Sequence, residues 1–347
     1  MKIEKFLVSR DPEWYHAWPD VVLTTDGTMI CVFSECIHHN NRRHTRIMLC
    51  DSRDRGRTWT PKRPLSEATD GLPWYYNCPR IFHLSGGELG VIVDRVPAAG
   101  EGGGREQASV NVLFRSSDNG KTWSAPEVLP LRGIVPDKIC ILPNGRYLAS
   151  AHYRYQGNLS QFLRYSDDNG KTWSDEILVA HDPRYQLCEV SLVSLGGGTV
   201  AALMRENSRL GLDCFKSVSH DNGETWGPLT QIPLPGCHRP VAGFLQDGRV
   251  FITYRFFHGG GPLSCKQNFF SAVTDREALL SEDRSQANTR IIPLDYDPAR
   301  NPDTGYSGWV QFDDGEIYVV NYIVDDTVEK GQIRGYSLRP EELILGL

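Results

Sequence analysis

The sequence predicts an all-β fold: one domain over residues 1–347, a six-bladed β-propeller whose ring is closed by the N-terminal strand. Three observations carry that expectation. A turn element occurs four times, a hairpin pattern occurs six times, and helical periodicity is nearly absent. The composition agrees: of 347 residues 33 are Gly and 21 Pro, which supplies many turns, and 40% are hydrophobic, which supplies a core.

The turn element is Ser52, Asp54, Gly56, Thr58 and Trp59, and its spacing returns at 116–123, 166–173 and 219–226. An Asp at this position accepts hydrogen bonds from backbone N–H groups across the turn, and the Gly supplies a positive φ. Thr suits the start of a strand, and Trp can wedge between neighbouring sheets. Each copy is self-contained and lacks EF-hand spacing, so the recurring Asp reads as structural and not as a calcium ligand.

The hairpins lie at 21–33, 81–93, 140–152, 191–204, 242–254 and 310–322, each turning at a Gly. Gly27, Gly87, Gly145, Gly198, Gly248 and Gly315 are separated by 60, 58, 53, 50 and 67 residues, room for about four strands per unit. Residues 275–282 are the one predicted short helix. The last unit has a third strand near 331–338 and no fourth, so residues 2–9 are expected to complete its blade and remove the open edges.

Charge and cysteine usage exclude several classes. Lys and Arg total 37 against 43 Asp and Glu, a net charge of −6, which lacks the basic footprint of nucleic-acid binding. No stretch approaches the roughly 20 apolar residues of a membrane span. The N-terminus has no apolar signal region, and nine cysteines without C-x-x-C pairs argue for free thiols. A cytoplasmic protein without metal or cofactor is expected, with its oligomeric state open.

The repeat register also locates a site. In a propeller, residues seven to nine positions either side of each hairpin Gly fall at one mouth of the channel. That count gathers Arg80, Arg95, Arg205, Arg239 and Arg255 beside Glu189 and Tyr306. Several arginine forks in one pocket select a carboxylate-bearing ligand. A phenol becomes a nucleophile when a carboxylate takes its proton, and neighbouring Arg residues are expected to lower its pKa. Trp14, Tyr15, Trp18, Trp74, Tyr75 and Tyr76 precede the first two inner strands, as a sugar-stacking rim or as packing between blades.

With four of these Asp boxes and six hairpin units, the chain resembles the sialidase (neuraminidase) superfamily over nearly its whole length. Residues 188–207 are similar to the family segment carrying a Glu, a Gly turn and a pocket Arg. The resemblance implies that Glu189 is the base partner of the nucleophile and that Arg205 binds carboxylate. Residues 305–322 are similar to the segment carrying the Tyr nucleophile, which falls on Tyr306. Sialidases retain configuration through a covalent Tyr–sugar intermediate. Two departures stand out. The family's first carboxylate-binding Arg is missing, because Ala17-Trp18-Pro19 occupies its place. The loop that carries the family's acid Asp, here residues 35–46, contains no Asp and offers His38, His39, His44, Arg42 and Arg43.

The leading expectation is a retaining exo-glycosidase of sialidase type, acting on a small carbohydrate that ends in an acidic sugar. Arg205 and Arg255 would hold the carboxylate, with Arg80 or Arg239, and Trp18 would line the pocket. For the acid, Asp20, Asp94 and Asp137 face the mouth by register, and His38, His39 and His44 come from the loop. The alternatives are a polysaccharide lyase acting on a uronic acid, and a non-catalytic carbohydrate-binding propeller.

Overall fold

A computed structural model describes residues 3–98, 105–259, 267–325, 330–339 and 341. Its strands form six antiparallel sheets set as the blades of a propeller, which agrees with the repeat count. Blade I runs Tyr15–Leu23, Met29–His38, Asn41–Ser52 and Arg63–Pro64 from the channel outward. Blades IV and V have the same plan, with Leu187–Gly196 and Cys237–Phe244 innermost. Prolines interrupt the inner strands of blades II and III, since Pro cannot donate to a ladder. Blade II therefore opens as two pieces, Trp74–Tyr76 and Arg80–His83, on either side of Pro79. Blade III keeps only Cys140–Ile141 and one bridge from Ile134 to His152.

Blade VI closes the ring as the sequence predicts. Thr304–Gln311, Ile317–Ile323 and Gln332–Leu338 take Glu4–Ser9 as their outermost strand, with Lys5 opposite Tyr336 and Phe6 opposite Gly335. The short helix is present at Arg276–Leu280, where the Asp275 side chain accepts from the Ala278 N–H at 2.7 Å. A further one-turn helix, Arg105–Ala108, carries no sequence signal that we recognised. Eight of the nine cysteines lie in described residues, and all eight are free; Cys265 lies outside.

The four boxes work as the turn chemistry requires. Asp54, Asp118, Asp168 and Asp221 each accept from the N–H of the Thr four residues on, at 2.8–2.9 Å. Each Trp donates its indole N–H to the carbonyl of the box Gly at 3.1–3.2 Å. All four glycines also press on the preceding blade: Gly56 on Tyr318, Gly120 on Ile30, Gly170 on Arg115 and Gly223 on Leu148. The core lies between blades, as where Val22, Ile30 and Leu49 of blade I meet Ile81, Val91 and Phe114 of blade II. Burying such side chains supplies about 25 cal/mol per Å² of apolar surface.

The seam between the last blade and the first rests on Tyr318, whose hydroxyl donates to the Gly56 carbonyl at 2.7 Å. A Cβ added at Gly335 would fall on that hydroxyl. Gly335→Ala is therefore expected to lower stability by about 1–3 kcal/mol in urea denaturation, the usual range for overpacking. Adding Tyr318→Phe should recover part of the loss, because it removes the nearest clashing atom and leaves the ring Cζ at 2.5 Å. Additive losses in the double variant would contradict this account of the seam.

Candidate active site

The inner strands are bent where they reach the upper mouth of the channel. Their pairing register shifts between Ala17 and Asp20, between Cys188 and Ser191, and between His238 and Val241. At those shifts Trp18, Glu189 and Arg239, each nine residues before its hairpin Gly, have φ of 55°, 48° and 53°. A bulge of this kind kinks the strand and re-aims one side chain. Left-handed backbone at a bulky residue costs of order 1–3 kcal/mol, so the surrounding structure must hold it in place. In blade VI the equivalent shift uses Gly305, at φ 100°, against which the Arg255 side chain packs where a Cβ would sit.

The bulges open onto a cleft of about 500 Å³ that Trp18, Glu189, Arg205, Arg255 and Tyr306 line together with His39, Arg42 and Asp303. The Tyr306 hydroxyl donates to Glu189 Oε1, and Arg205 Nη1 donates to the same oxygen at 2.7 Å. Glu189 Oε2 is buried without a partner among the described residues. Burial pushes the Glu189 carboxyl up, but Arg205, then Arg255 and the phenol, outweigh it and hold the pKa at about 2. Burial and the Glu189 charge raise the Tyr306 phenol well above its ordinary value, against a smaller pull from Arg205 and Arg255. The expectation of a lowered phenol is thus reversed. At rest the site holds a neutral phenol hydrogen-bonded to a carboxylate.

The guanidinium of Arg255 is fixed by the Thr304 carbonyl at 2.6 Å and the Tyr322 hydroxyl at 3.1 Å, and its Cζ lies 5.0 Å from the centre of the Tyr306 ring. Arg42, the second residue of strand Asn41–Ser52, stacks over Trp18, with Cζ 3.9 Å from the ring centre. The Nε atoms of Arg42 and Arg205 are buried without partners among the described residues. Asp303 anchors the opposite wall. It accepts from the Tyr15 and Tyr322 hydroxyls, each at 2.6 Å, and pairs with His39 Nδ1. Burial works against its charge, and His39, Arg255 and Tyr15 hold it ionised with a pKa of about 2.

The structure places several sequence-predicted residues elsewhere. Arg80, seven residues before its Gly, lies deep in the channel, where its Nη1 donates to the Ser307 carbonyl at 2.8 Å. Arg239 spans the Val190 and Pro136 carbonyls, both at 3.0 Å, beneath the Tyr306 ring. Both are crossbars between inner strands and do not line the cleft. Asp20 is fully buried, takes the Val21 and Ile81 N–H groups and pairs with Lys138 at 3.0 Å, so it cannot serve as the acid. Asp94 is spent on Asn77, Cys78 and Val135, whose positions it fixes in the cleft floor, and burial raises its carboxyl pKa. Arg95 packs over Trp74, and His44 pairs with Asp70 at 2.6 Å. Asp137 is buried and accepts from the Leu192 N–H at 2.8 Å. Asp303 escaped the count because it precedes Gly315 by twelve residues.

Asp11, His16 and Glu35 converge closely enough to suggest a metal centre. The Lys62 ammonium fills that position, 2.5 Å from Asp11, 3.3 Å from His16 Nε2 and paired with Glu35. The cluster is a protein-built ion knot, and none of its four residues lines the cleft.

Residues 76–319 match the model of the BNR repeat-like domain. The chain belongs to that family. Its BNR-repeat propeller is of the sialidase-like superfamily. A sialidase of Bacteroides fragilis (strain YCH46) is 26% identical over 250 residues, 60% of this chain and 42% of that protein. The chain spans less than half the length of the curated sialidases it matches. Among solved structures, a protein of unknown function from Dyadobacter fermentans DSM 18053 superposes with a TM-score of 0.78, at 23% identity over 98% of both chains. A Hadza microbial sialidase superposes with a TM-score of 0.70 at 17% identity, over 95% of this chain and 66% of that one. At such identities the likeness is one of fold.

The ion pair at the centre of this propeller has a pH signature. Glu189 titrates at about 2 when folded against 4.5 as a free side chain, so the unfolded chain takes up its proton first as pH falls. Its contribution is present above pH 4.5 and is lost as pH falls toward 2. Urea titrations from pH 6 to pH 3 should show stability falling less steeply in Glu189→Gln than in wild type, by up to about 1.4 kcal/mol per pH unit. Parallel slopes would mean that Glu189 is not held ionised.

Proposed function

We propose that this propeller is a retaining exo-glycosidase of sialidase type, acting on a small carbohydrate that ends in a carboxylate-bearing sugar. The observation that carries the reading is the hydrogen bond from the Tyr306 hydroxyl to the buried Glu189 carboxylate, in a cleft shared with Arg42, Arg205 and Arg255. The substrate carboxylate binds the arginine forks, with Arg42 standing in for the guanidinium missing at Ala17-Trp18-Pro19. Once that carboxylate shares the charge of Arg205, the hold of Arg205 on Glu189 weakens and Glu189 regains proton affinity. The phenol proton then passes to Glu189 as Tyr306 Oη attacks the anomeric carbon and the glycosidic bond breaks. Water next attacks from the face that the leaving group vacated and displaces Tyr306, and the two inversions give retention.

Turnover of a fluorogenic sialic acid glycoside tests the reading. Glu189→Gln should lose about 10²–10⁴-fold in kcat, as removal of a positioned general base does, and Tyr306→Phe should abolish release. A rate within a few fold of wild type in either variant would overturn the assignment. An ultraviolet-absorbing unsaturated product from uronate oligosaccharides, with no release from the sialoside, would move the reaction to β-elimination at the same arginines.

A further inference from the structure

A retaining reaction at Tyr306 needs a second proton carrier, because the departing glycosidic oxygen must gain a proton and the incoming water must lose one. The groups facing the cleft narrow the choice. Glu189 is ionised and already takes the Tyr306 proton, and Asp303 is held ionised by its partners. His238 lies flat on Phe257, 4.9 Å between ring centres, and burial with the charges of Arg205 and Arg255 keeps it neutral. Burial raises the pKa of the Tyr75 phenol and the Cys78 thiol.

His39 differs from all of these. It lies between strands Met29–His38 and Asn41–Ser52, in the loop where the sequence offers histidines and no Asp. Its ring stands edge-on to Trp18, 5.2 Å between centres, and its side chain is 39% exposed. Nδ1 is committed to Asp303, and among the described residues no protein group engages Nε2. Asp303 itself is immobilised by the Tyr15 and Tyr322 hydroxyls, and Tyr322 is edge-on to Tyr306 at 6.2 Å and bonded to Arg255. A carboxylate on Nδ1–H sets the tautomer and leaves Nε2 as the reactive nitrogen.

The location of the pair is as informative as its bonding. His39 and Asp303 line the arginine cleft and also an adjoining cleft of about 530 Å³ walled by Tyr15, Asn40, Arg300 and Lys330. They stand on the divide between the two. A leaving group on a sugar anchored by the arginines over Tyr306 would find the second cleft on the far side of that pair.

We propose that His39, positioned by Asp303, is the acid/base of the Tyr306 reaction, with the leaving group housed in the adjoining cleft. The proposal rests on the retaining mechanism above. In the first step Tyr306 Oη bonds the anomeric carbon, its proton goes to Glu189, and His39 Nε2–H protonates the departing oxygen. In the second step water bonds the same carbon and the Tyr306–sugar bond breaks. The water proton goes to His39 Nε2, and Glu189 returns its proton to Tyr306.

The test compares two sialic acid glycosides that differ only in leaving group, an acidic aryl alcohol and a simple alkyl alcohol, with wild type, His39→Ala, Asp303→Asn and Tyr306→Phe. His39→Ala is expected to lose about 10²–10⁴-fold in kcat/KM on the alkyl glycoside. On the aryl glycoside, which departs unassisted, it should give a burst of one aryl alcohol per enzyme followed by slow turnover. Azide, a nucleophile that needs no base, should accelerate that slow phase and yield the glycosyl azide. Asp303→Asn, a positioning change, should reproduce the leaving-group dependence in milder form with little change in KM. Equal losses on both glycosides without azide rescue, while Tyr306→Phe stays inactive, would overturn His39 and leave the Tyr306 reading standing. Wild-type turnover by Tyr306→Phe, or a wild type inert toward both glycosides, would overturn the two together.

Discussion

Glu189 is charged, buried and held at a single oxygen by an arginine and a phenol. Enclosing a lone carboxylate would shift its pKa until it became neutral, so the site exists only while Arg205 stays within bonding distance. Arg205 comes from the neighbouring strand of the same blade, opposite Cys188, whereas Tyr306 arrives from two blades away. The contact therefore depends on a closed ring with six inner strands in correct order. It also depends on the bulge at Glu189, which turns that side chain toward the mouth at the cost of a left-handed backbone. The fully buried crossbars of Arg80 and Arg239 lie just beneath, stitching inner strands together through backbone carbonyls.

Much of this was legible in the sequence because turn chemistry is local and repeated. A Gly in each hairpin and a box of fixed spacing announce six blades, and the missing fourth strand of the last unit assigns the first strand to it. Counting from the hairpin glycines also brought Tyr306, Glu189, Arg205 and Arg255 to one mouth. The same count misplaced Arg80 and Asp20. Register states which way a side chain points, but two residues along a strand are about 7 Å of depth, enough to move an arginine from the cleft into the channel wall. Nor does register reveal that a backbone carbonyl will capture a guanidinium, as with Arg239. Asp303 was not singled out, and Arg42 was named only among the residues of 35–46, for another reason. Asp303 comes from the loop before Thr304–Gln311 and Arg42 from the start of strand Asn41–Ser52, and tertiary packing aims both, here the stacking of Arg42 on Trp18 and the anchoring of Asp303 by Tyr15 and Tyr322.

The electrostatic arrangement separates holding from reacting. In the resting site the arginines spend their charge on Glu189 and on the backbone, so the phenol stays protonated and unreactive. Arg42 and Arg205 keep buried Nε–H groups without acceptors among the described residues, and an anion entering the cleft meets donors already in place. Under the proposed function, binding of a carboxylate and activation of Tyr306 would be one event, since both draw on Arg205. A neutral sugar of the same shape would leave Glu189 tied to its arginine. The ion knot at Lys62, by contrast, is internally compensated and belongs to the scaffold.

The central claim is that Tyr306 oxygen becomes bonded to the anomeric carbon of an acidic sugar. It is tested most directly by mass spectrometry after incubation with a sialic acid fluoride that carries a second fluorine beside the anomeric carbon. Such a compound forms the glycosyl-enzyme faster than it is hydrolysed. The account predicts one added sugar per chain, on the peptide that contains Tyr306, and none in Tyr306→Phe. An adduct on Glu189 or another residue, or turnover of the fluoride with no adduct at any time, would contradict it.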